Sequence, residues 1–227
     1  MTILLEMVSD VVCPWCWLGL RRVSRALEDG GVDEDRVELR FRPFELDPNV
    51  PAEGVDYKEY MSRRIGGPGI NDAQKERFAA MRAALEAYGE EEGLPFDFQN
   101  MKHRPNSFDS HRLVRWAQGQ GRGAAAKEAL FHAYFAENRN VGDHAVLVDI
   151  ATQIGLDSDV VSRLLSEDAD KDAVRREAQF FRDLGVGGVP TLIADRRIAL
   201  QGAESTEKIL KLIEAAEKSA LEERPAG

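Results

Sequence analysis

Cys13-Pro14-Trp15-Cys16 places two thiols within about one helical turn of each other, and they are the only two cysteines among 227 residues. Two thiols at that spacing can close a disulfide and reopen it, so the pair is a candidate redox centre. Ahead of it, Ile3 to Val8 (ILLEMV) is a short, mostly apolar run of strand length, followed by Ser9, Asp10, Val11 and Val12. Behind it, Trp17, Leu18, Leu20, Val23 and Leu27 recur at helical spacing as far as Gly30-Gly31. Pro14 suits the first turn of that helix, where its missing N–H is not needed. Cys13 therefore stands at the helix start, facing unpaired backbone N–H groups and the positive end of the helix dipole, both of which stabilise a thiolate. Helix N-termini in such motifs draw a thiol down from ~8.5 to roughly 3.5–7.5. Cys16, one turn further in, is expected to be more buried and less acidic. The spacing predicts Cys13 as the attacking thiolate and Cys16 as the thiol that resolves the mixed disulfide.

Other uses of two cysteines fit less well. A zinc site takes four protein ligands, or three plus water. One CxxC supplies two, and the four histidines, His103, His111, His132 and His144, have no paired ligand spacing with it. No metal is expected. A structural disulfide here would close a very small loop, and the stabilisation from a cross-link grows with loop length.

The composition is that of an ordinary folded protein. A hydrophobic content of 43% is enough for a core, and the formal net charge of −10 argues against a nucleic-acid-binding surface. Met1-Thr2-Ile3-Leu4-Leu5-Glu6 has no basic n-region, and no stretch approaches the length of a membrane span. Neither a nucleic-acid nor a membrane partner is expected. The expected location is the cytoplasm, where a CxxC is more often catalytic or metal-binding than structural.

The elements that must hold the motif can be read from periodicity. Arg36 to Phe44 (RVELRFRPF) alternates Val37, Leu39 and Phe41 with polar residues and reads as a second strand. Strand, helix and strand make a βαβ unit. From about Val55 to Leu184 the pattern is almost wholly helical. Stretches run from Asn71 to Glu92, Ser107 to Gln118, Ala124 to Asn138, Asp143 to Ile154, Ser158 to Leu165 and Ala169 to Leu184. In the first of these, Phe78, Met81, Leu85 and Tyr88 form an apolar stripe that could also serve a homodimer surface. His111, among apolar neighbours, reads as a core histidine. After Gly185-Val186-Gly187-Gly188, Val189 to Ala194 and Arg197 to Gln201 read as two strands joined at Asp195-Arg196, and Thr206 to Leu221 as a final helix. Glu222 to Gly227 reads as a frayed end. The expected architecture is α/β, with residues 1–50 and 185–227 forming one small domain and residues 51–184 an all-helical insertion.

These pieces, in this order, resemble the DsbA-like branch of the thioredoxin superfamily, and within it the FrnE-type proteins. The resemblance covers nearly the whole chain. It is carried by Ser9-Asp10-Val11-Val12-Cys13-Pro14-Trp15-Cys16, Arg42-Pro43-Phe44, Asn106-Ser107 with His111-Arg112-Leu113, Gly185-Val186-Gly187-Gly188-Val189-Pro190-Thr191, and Gly202-Ala203. It implies a thioredoxin-like fold (βαβ…ββα with the helical insertion) and a thiol–disulfide oxidoreductase. It implies a redox-active Cys13–Cys16 disulfide, no tightly bound cofactor, and a disulfide- or thiol-containing protein or small molecule as partner.

The resemblance also assigns supporting roles. Pro190 matches the superfamily's cis-proline, so Val189, Pro190 and Thr191 would present backbone to an extended substrate over Cys13, with Asn106 as a further substrate-side candidate. Glu6, an acid in an otherwise apolar strand, resembles the buried acid that assists proton transfer from the second cysteine, although its spacing to Cys13 is one residue longer than in DsbA. Trp15 stands where DsbA has a histidine and cannot carry charge, which implies a less oxidising pair. The second, C-terminal cysteine pair of some FrnE-type proteins is absent. The 2-hydroxychromene-2-carboxylate isomerases and kappa-class glutathione transferases share the architecture and give the alternative, a glutathione-dependent isomerase or transferase. Glu204 and Ser205 would then meet the amine and carboxylate of glutathione, which is in either case a possible co-substrate. Those enzymes usually carry serine at the place of Cys13 and lack a resolving cysteine.

Overall fold

The computed structural model describes residues 2–30, 36–67 and 69–222. Gly31 and residues 223–227, which the sequence reading places at a helix end and a frayed terminus, lie outside them. The elements in chain order are β1 (Ile3–Ser9), α1 (Pro14–Asp29), β2 (Val37–Pro43), β3 (Val55–Asp56), α2 (Tyr57–Gly66), α3 (Asp72–Glu92), β4 (His103–Arg104), α4 (Phe108–Gln118), α5 (Gly123–Phe135), α6 (His144–Gln153), α7 (Ser158–Ser166), α8 (Lys171–Asp183), β5 (Thr191–Ala194), β6 (Ile198–Gln201) and α9 (Thr206–Glu222). The fold is a thioredoxin-like α/β fold carrying a helical insertion, as the motif order implies.

The chain forms two compact units, Met1–Phe44 with Asp172–Gly227, and Glu45–Lys171. The first unit holds a four-stranded sheet in the order β2-β1-β5-β6. β1 pairs parallel with β2 and antiparallel with β5, and β5 pairs antiparallel with β6. β1 is paired along both edges and packed on both faces, and Ile3, Leu5, Met7 and Val8 are all buried. Alternation sorts them. A methyl group on Gly19 of α1 would stand 3.5 Å from Met7 Cε, so Ile3, Leu5 and Met7 share the face toward α1. Val8 lies on the other face and packs with Phe44 and with Phe181 of α8, against which Val186, Val189 and Ile193 are laid. The β5–β6 hairpin closes through Asp195, Arg196 and Arg197, with Asp195 and Arg196 at positive φ (48° and 58°) and the Arg197 N–H donating to the Ala194 carbonyl at 3.0 Å. The Asp195 carboxylate also accepts the Leu4 N–H at 2.8 Å.

The borders differ from the expected 50/51 and 184/185. Residues Glu45 to Val50 go with the helical unit, and almost all of α8 goes with the sheet. Helical periodicity shows that α8 has an apolar stripe but not what it covers. Val174, Ala178 and Phe181 are buried, and Phe181 lies against Val8 and Phe44.

The second unit contains α2 to α7 and the short antiparallel ribbon β3–β4. Local chemistry sets its helix ends. Asn71 and Gln74 form a reciprocal capping box on α3, Gly93 ends that helix in the left-handed region at φ 71°, and Asp143 and Asp157 cap α6 and α7. The core comes from α4, α5 and α6, including Leu113, Val114, Leu130, Phe131, Tyr134, Phe135, Leu147 and Ile150. The apolar stripe of α3 is not a core face: Leu85 is buried, whereas Met81 and Tyr88 are exposed. No helix among the described residues is long and apolar enough to cross a membrane.

Candidate active site

Strand β1 ends at Ser9, and the chain turns through Asp10 to Cys13 before α1 begins. The Cys13 N–H donates to the Asp10 carbonyl at 3.2 Å, and the Cys16 N–H donates to the Cys13 carbonyl at 3.0 Å. Cys13 is the N-cap of α1, with extended backbone (φ −100°, ψ 111°), Pro14 is the first helical residue, and Trp15 follows it, half-buried. The Cys13 side chain makes no capping bond to the helix it precedes. It points across the unit instead: its thiol donates to the Val189 carbonyl, with Sγ 3.6 Å from the oxygen. Both cysteines are free thiols, Cys13 4% exposed and Cys16 fully enclosed. The sequence separates these contacts by more than 170 positions (|i−j| of 176 for Cys13 and Val189).

The Val189–Pro190 peptide bond is cis. The Pro190 carbonyl accepts the Gly202 N–H at 2.8 Å, which ties the loop to β6. The Thr191 hydroxyl donates to the Gly188 carbonyl at 2.8 Å, so its side chain holds the loop in shape and is not turned out for a ligand. On the other side, Gly19 lets α1 approach the proline: a methyl group there would stand 3.0 Å from Pro190 Cγ. Gly19 was not among the residues that the sequence singles out. Its signal was a glycine inside a helical run, where it costs stability unless something needs the space.

Glu6 is placed elsewhere than the resemblance implies. Cys13 minus seven falls on the strand face opposite Met7, because a one-residue step along a strand reverses the side-chain direction. There the Glu6 carboxylate, 2% exposed, accepts the Arg42 guanidinium at 2.7 Å, and Arg42 reaches Glu177 on α8 at 2.6 Å. Arg196 stands 3.7 Å from the second oxygen. A cation on one side is what makes this burial tolerable. The face beneath the motif carries Met7 at the corresponding position, whereas Glu6 lies on the other face, bonded to Arg42.

Glu204 and Ser205 stand at the entry to α9. Glu204 pairs with Lys208 at 2.8 Å, and Ser205 caps the helix, its hydroxyl accepting the Lys208 N–H at 3.4 Å. Arg22 of α1 donates to the Ala203 carbonyl at 2.6 Å and fixes the Gly202-Ala203 loop. Asn106 belongs to the second unit. Its amide nitrogen donates to the Val50 carbonyl at 2.6 Å and its oxygen accepts the Phe108 N–H at 2.9 Å, so both ends hold the entry to α4. His111 is buried in α4. Within the first unit the structure thus brings together Cys13, Pro14, Trp15, Cys16, Val189, Pro190 and Thr191. Among the described residues no group of three or more His, Cys, Asp or Glu is placed to hold a metal ion.

The family model of the DSBA-like thioredoxin domain matches residues 4–214. A probable DsbA oxidoreductase from Streptomyces coelicolor has a similar crystal structure, with a TM-score of 0.81 and 30% identity over 99% of this chain and 92% of that one. The uncharacterized protein YwbO of Bacillus subtilis (strain 168) is 25% identical over 219 residues, 96% of this chain and 99% of its own. A 2-hydroxychromene-2-carboxylate isomerase shares the fold at a TM-score of 0.66 and 17% identity, over 96% of this chain and 97% of that one.

Proposed function

We infer that this chain, which belongs to the DSBA-like thioredoxin domain family, is a thiol–disulfide oxidoreductase of the FrnE type that works through Cys13 and Cys16. The observation that carries the inference is the Cys13 thiol at the N-cap of α1, directed at the carbonyl of Val189 beside cis-Pro190. The Val189 carbonyl within hydrogen-bond reach of this sulfur marks a strand-entry backbone that can pair with an extended substrate.

The chemistry balances as two exchanges. The Cys13 thiolate attacks one sulfur of a substrate disulfide, the S–S bond breaks, and the other substrate sulfur leaves as a thiolate. Cys16 loses its proton and attacks Cys13 Sγ, the mixed disulfide breaks, and the second substrate sulfur leaves. Two electrons pass from the protein to the substrate, and the protein is left with a Cys13–Cys16 disulfide. Two molecules of an external thiol, for which we propose glutathione, restore the dithiol and leave joined as its disulfide. The reverse sequence oxidises a substrate dithiol. Cys16, one turn behind Cys13 and fully enclosed, suits the resolving role because it is shielded from outside disulfides and lies beside Cys13, whose Sγ it attacks in the mixed disulfide. Substrates would be disulfide- or thiol-containing proteins or small molecules of the cytoplasm.

The pair of thiols favours this reading over a glutathione-dependent isomerase, whose relatives usually have serine at the first position. Glu204 and Ser205, the residues that the isomerase reading needs, are engaged with Lys208 and with the start of α9. The test is a glutathione-coupled disulfide reduction assay. Cys13→Ser is expected to lower turnover to background, and Cys16→Ser to accumulate a mixed disulfide visible by mass. Full turnover by Cys13→Ser would overturn the assignment.

A further inference from the structure

A buried acid is built into the turn that leads to the nucleophile. Asp10 is completely enclosed. Its carbonyl accepts the Cys13 N–H at 3.2 Å, and its carboxylate accepts the Val12 N–H at 3.4 Å. One residue, through its two kinds of acceptor, thus holds the Val12 and Cys13 N–H groups of the turn that leads into the helix. It also sets a carboxylate within the four-residue turn Asp10-Val11-Val12-Cys13. The other acid buried among the described residues of this unit, Glu6, faces the opposite side of the sheet and is bonded to Arg42. Asp10 is therefore the carboxylate whose place bears on the motif.

The consequence follows from the charges of the two redox states. The reduced pair can carry a thiolate at Cys13, and the disulfide carries no charge. A neighbouring carboxylate raises the energy of the first and leaves the second nearly untouched. We propose that Asp10 is a positioning residue that shapes the motif's turn and, by its charge, biases the Cys13–Cys16 pair toward donating electrons. This assigns a direction to the redox centre inferred above and rests on that inference. For an ionised Asp10 the sign does not depend on whether a cation also faces it, because the amide removes one negative charge either way; a neutral Asp10 would leave the equilibrium unmoved.

The test equilibrates the full-length chain with mixtures of reduced and oxidised glutathione at neutral pH and counts free thiols by mass after alkylation. In the reaction, the protein dithiol and one glutathione disulfide give the protein disulfide and two glutathione thiols. Asp10→Asn keeps an oxygen for the Val12 N–H and removes the charge. It is expected to move this equilibrium about ten-fold toward the dithiol, a potential about 30 mV more oxidising. Asp10→Glu, which restores a charge, is expected to lie closer to the parent than Asp10→Asn. If Asp10→Asn does not fold by circular dichroism, Asp10→Ser, which keeps an uncharged acceptor, is read in its place. An unchanged equilibrium in the uncharged variant, or a shift toward the disulfide, overturns the proposal. The two inferences fail differently: a parent Cys13–Cys16 pair that exchanges with glutathione while the uncharged variant leaves the equilibrium unmoved removes only the role of Asp10, whereas full turnover by Cys13→Ser removes the redox centre.

Discussion

In the first unit Glu6 is buried in the sheet against the Arg42 guanidinium, which also reaches Glu177. In the second unit Arg112, fully enclosed, is surrounded by main-chain oxygens: it donates to the carbonyls of Leu164, Leu165, Glu167 and Ala169, and to the Asp109 carboxylate. Both arrangements satisfy a buried ion, but they serve different ends. In the sheet, backbone groups are already paired strand to strand, so an ion must find another side chain. At the end of α7 the last carbonyls have no partner within the helix, and a cation there satisfies them and complements the dipole. The first unit sets two backbone irregularities, the Asp10 turn and the cis Val189–Pro190 bond, beside the thiols. In the second, Arg112 closes a helix.

The sharpest way to break this contrast is to remove the cation. Arg112→Met leaves several buried carbonyls without a donor and is expected to lower stability in urea by about 3–5 kcal/mol. None of the bonds named for Arg112 reaches the first unit, so the Cys13–Cys16 equilibrium with glutathione is expected to stay where it is in the folded variant. A shifted equilibrium would show that the division of tasks is wrong.

Next in size is Glu6→Gln, which leaves Arg42 its bond to Glu177 and is expected to cost about 2 kcal/mol in urea, since hydrogen bonds to charged groups contribute roughly 1.5–3. Release of the mixed disulfide by Cys16 should keep its rate. A release slowed a hundred-fold in stopped-flow measurements would mean that Glu6 does handle the Cys16 proton.

Gly19→Ala probes the packing between α1 and Pro190. A methyl at 3.0 Å from Pro190 Cγ must push the ring by a few tenths of an ångström. That cost works against the gain of roughly 0.5–1 kcal/mol that alanine brings to a helix interior. We expect a nearly unchanged melting temperature with slower disulfide exchange, while Gly19→Leu should lower both. Faster exchange in Gly19→Ala would count against Pro190 as the substrate-side wall.

The smallest effect concerns Asp170 in the second unit. The Trp116 indole N–H, at 2.9 Å, holds its carboxyl below the usual carboxylate range, and Arg115 adds to this. A depressed value in the folded state contributes stability above the ordinary carboxylate range and loses it as pH falls through the folded value. Asp170→Asn should therefore melt slightly below the parent at neutral pH and level with it in strong acid. A gap that widens on acidification would contradict the sign.

Much of the site could be read along the chain, because the signals are local. Cysteines at a strand-to-helix junction, a proline that opens the helix and Val-Pro-Thr at the start of a late strand need no knowledge of distant contacts. The element types followed from periodicity for the same reason, and Asn71, Ser107 and Asp143 marked where helices begin. α2 lay within the long helical region without bounds of its own, although Tyr57, Tyr60, Met61 and Ile65 stand at helical spacing along it.

What only the tertiary structure decided is the side on which each residue falls and what it meets there. Glu6 and Met7 are neighbours in sequence, yet one joins Arg42 and Glu177 and the other lies under α1, because strand alternation turns a single step into opposite faces of the sheet. The stripe on α8 covers Val8 and Phe44, whereas the stripe on α3 leaves Met81 and Tyr88 in solvent; both look alike as patterns. By itself, the sequence determined that two thiols begin a helix and that Val-Pro begins a strand. Their meeting at 3.6 Å depended on a sheet that pairs β1 with β5, and such pairings are chosen by the summed contacts of residues far apart in the chain rather than by neighbours along it.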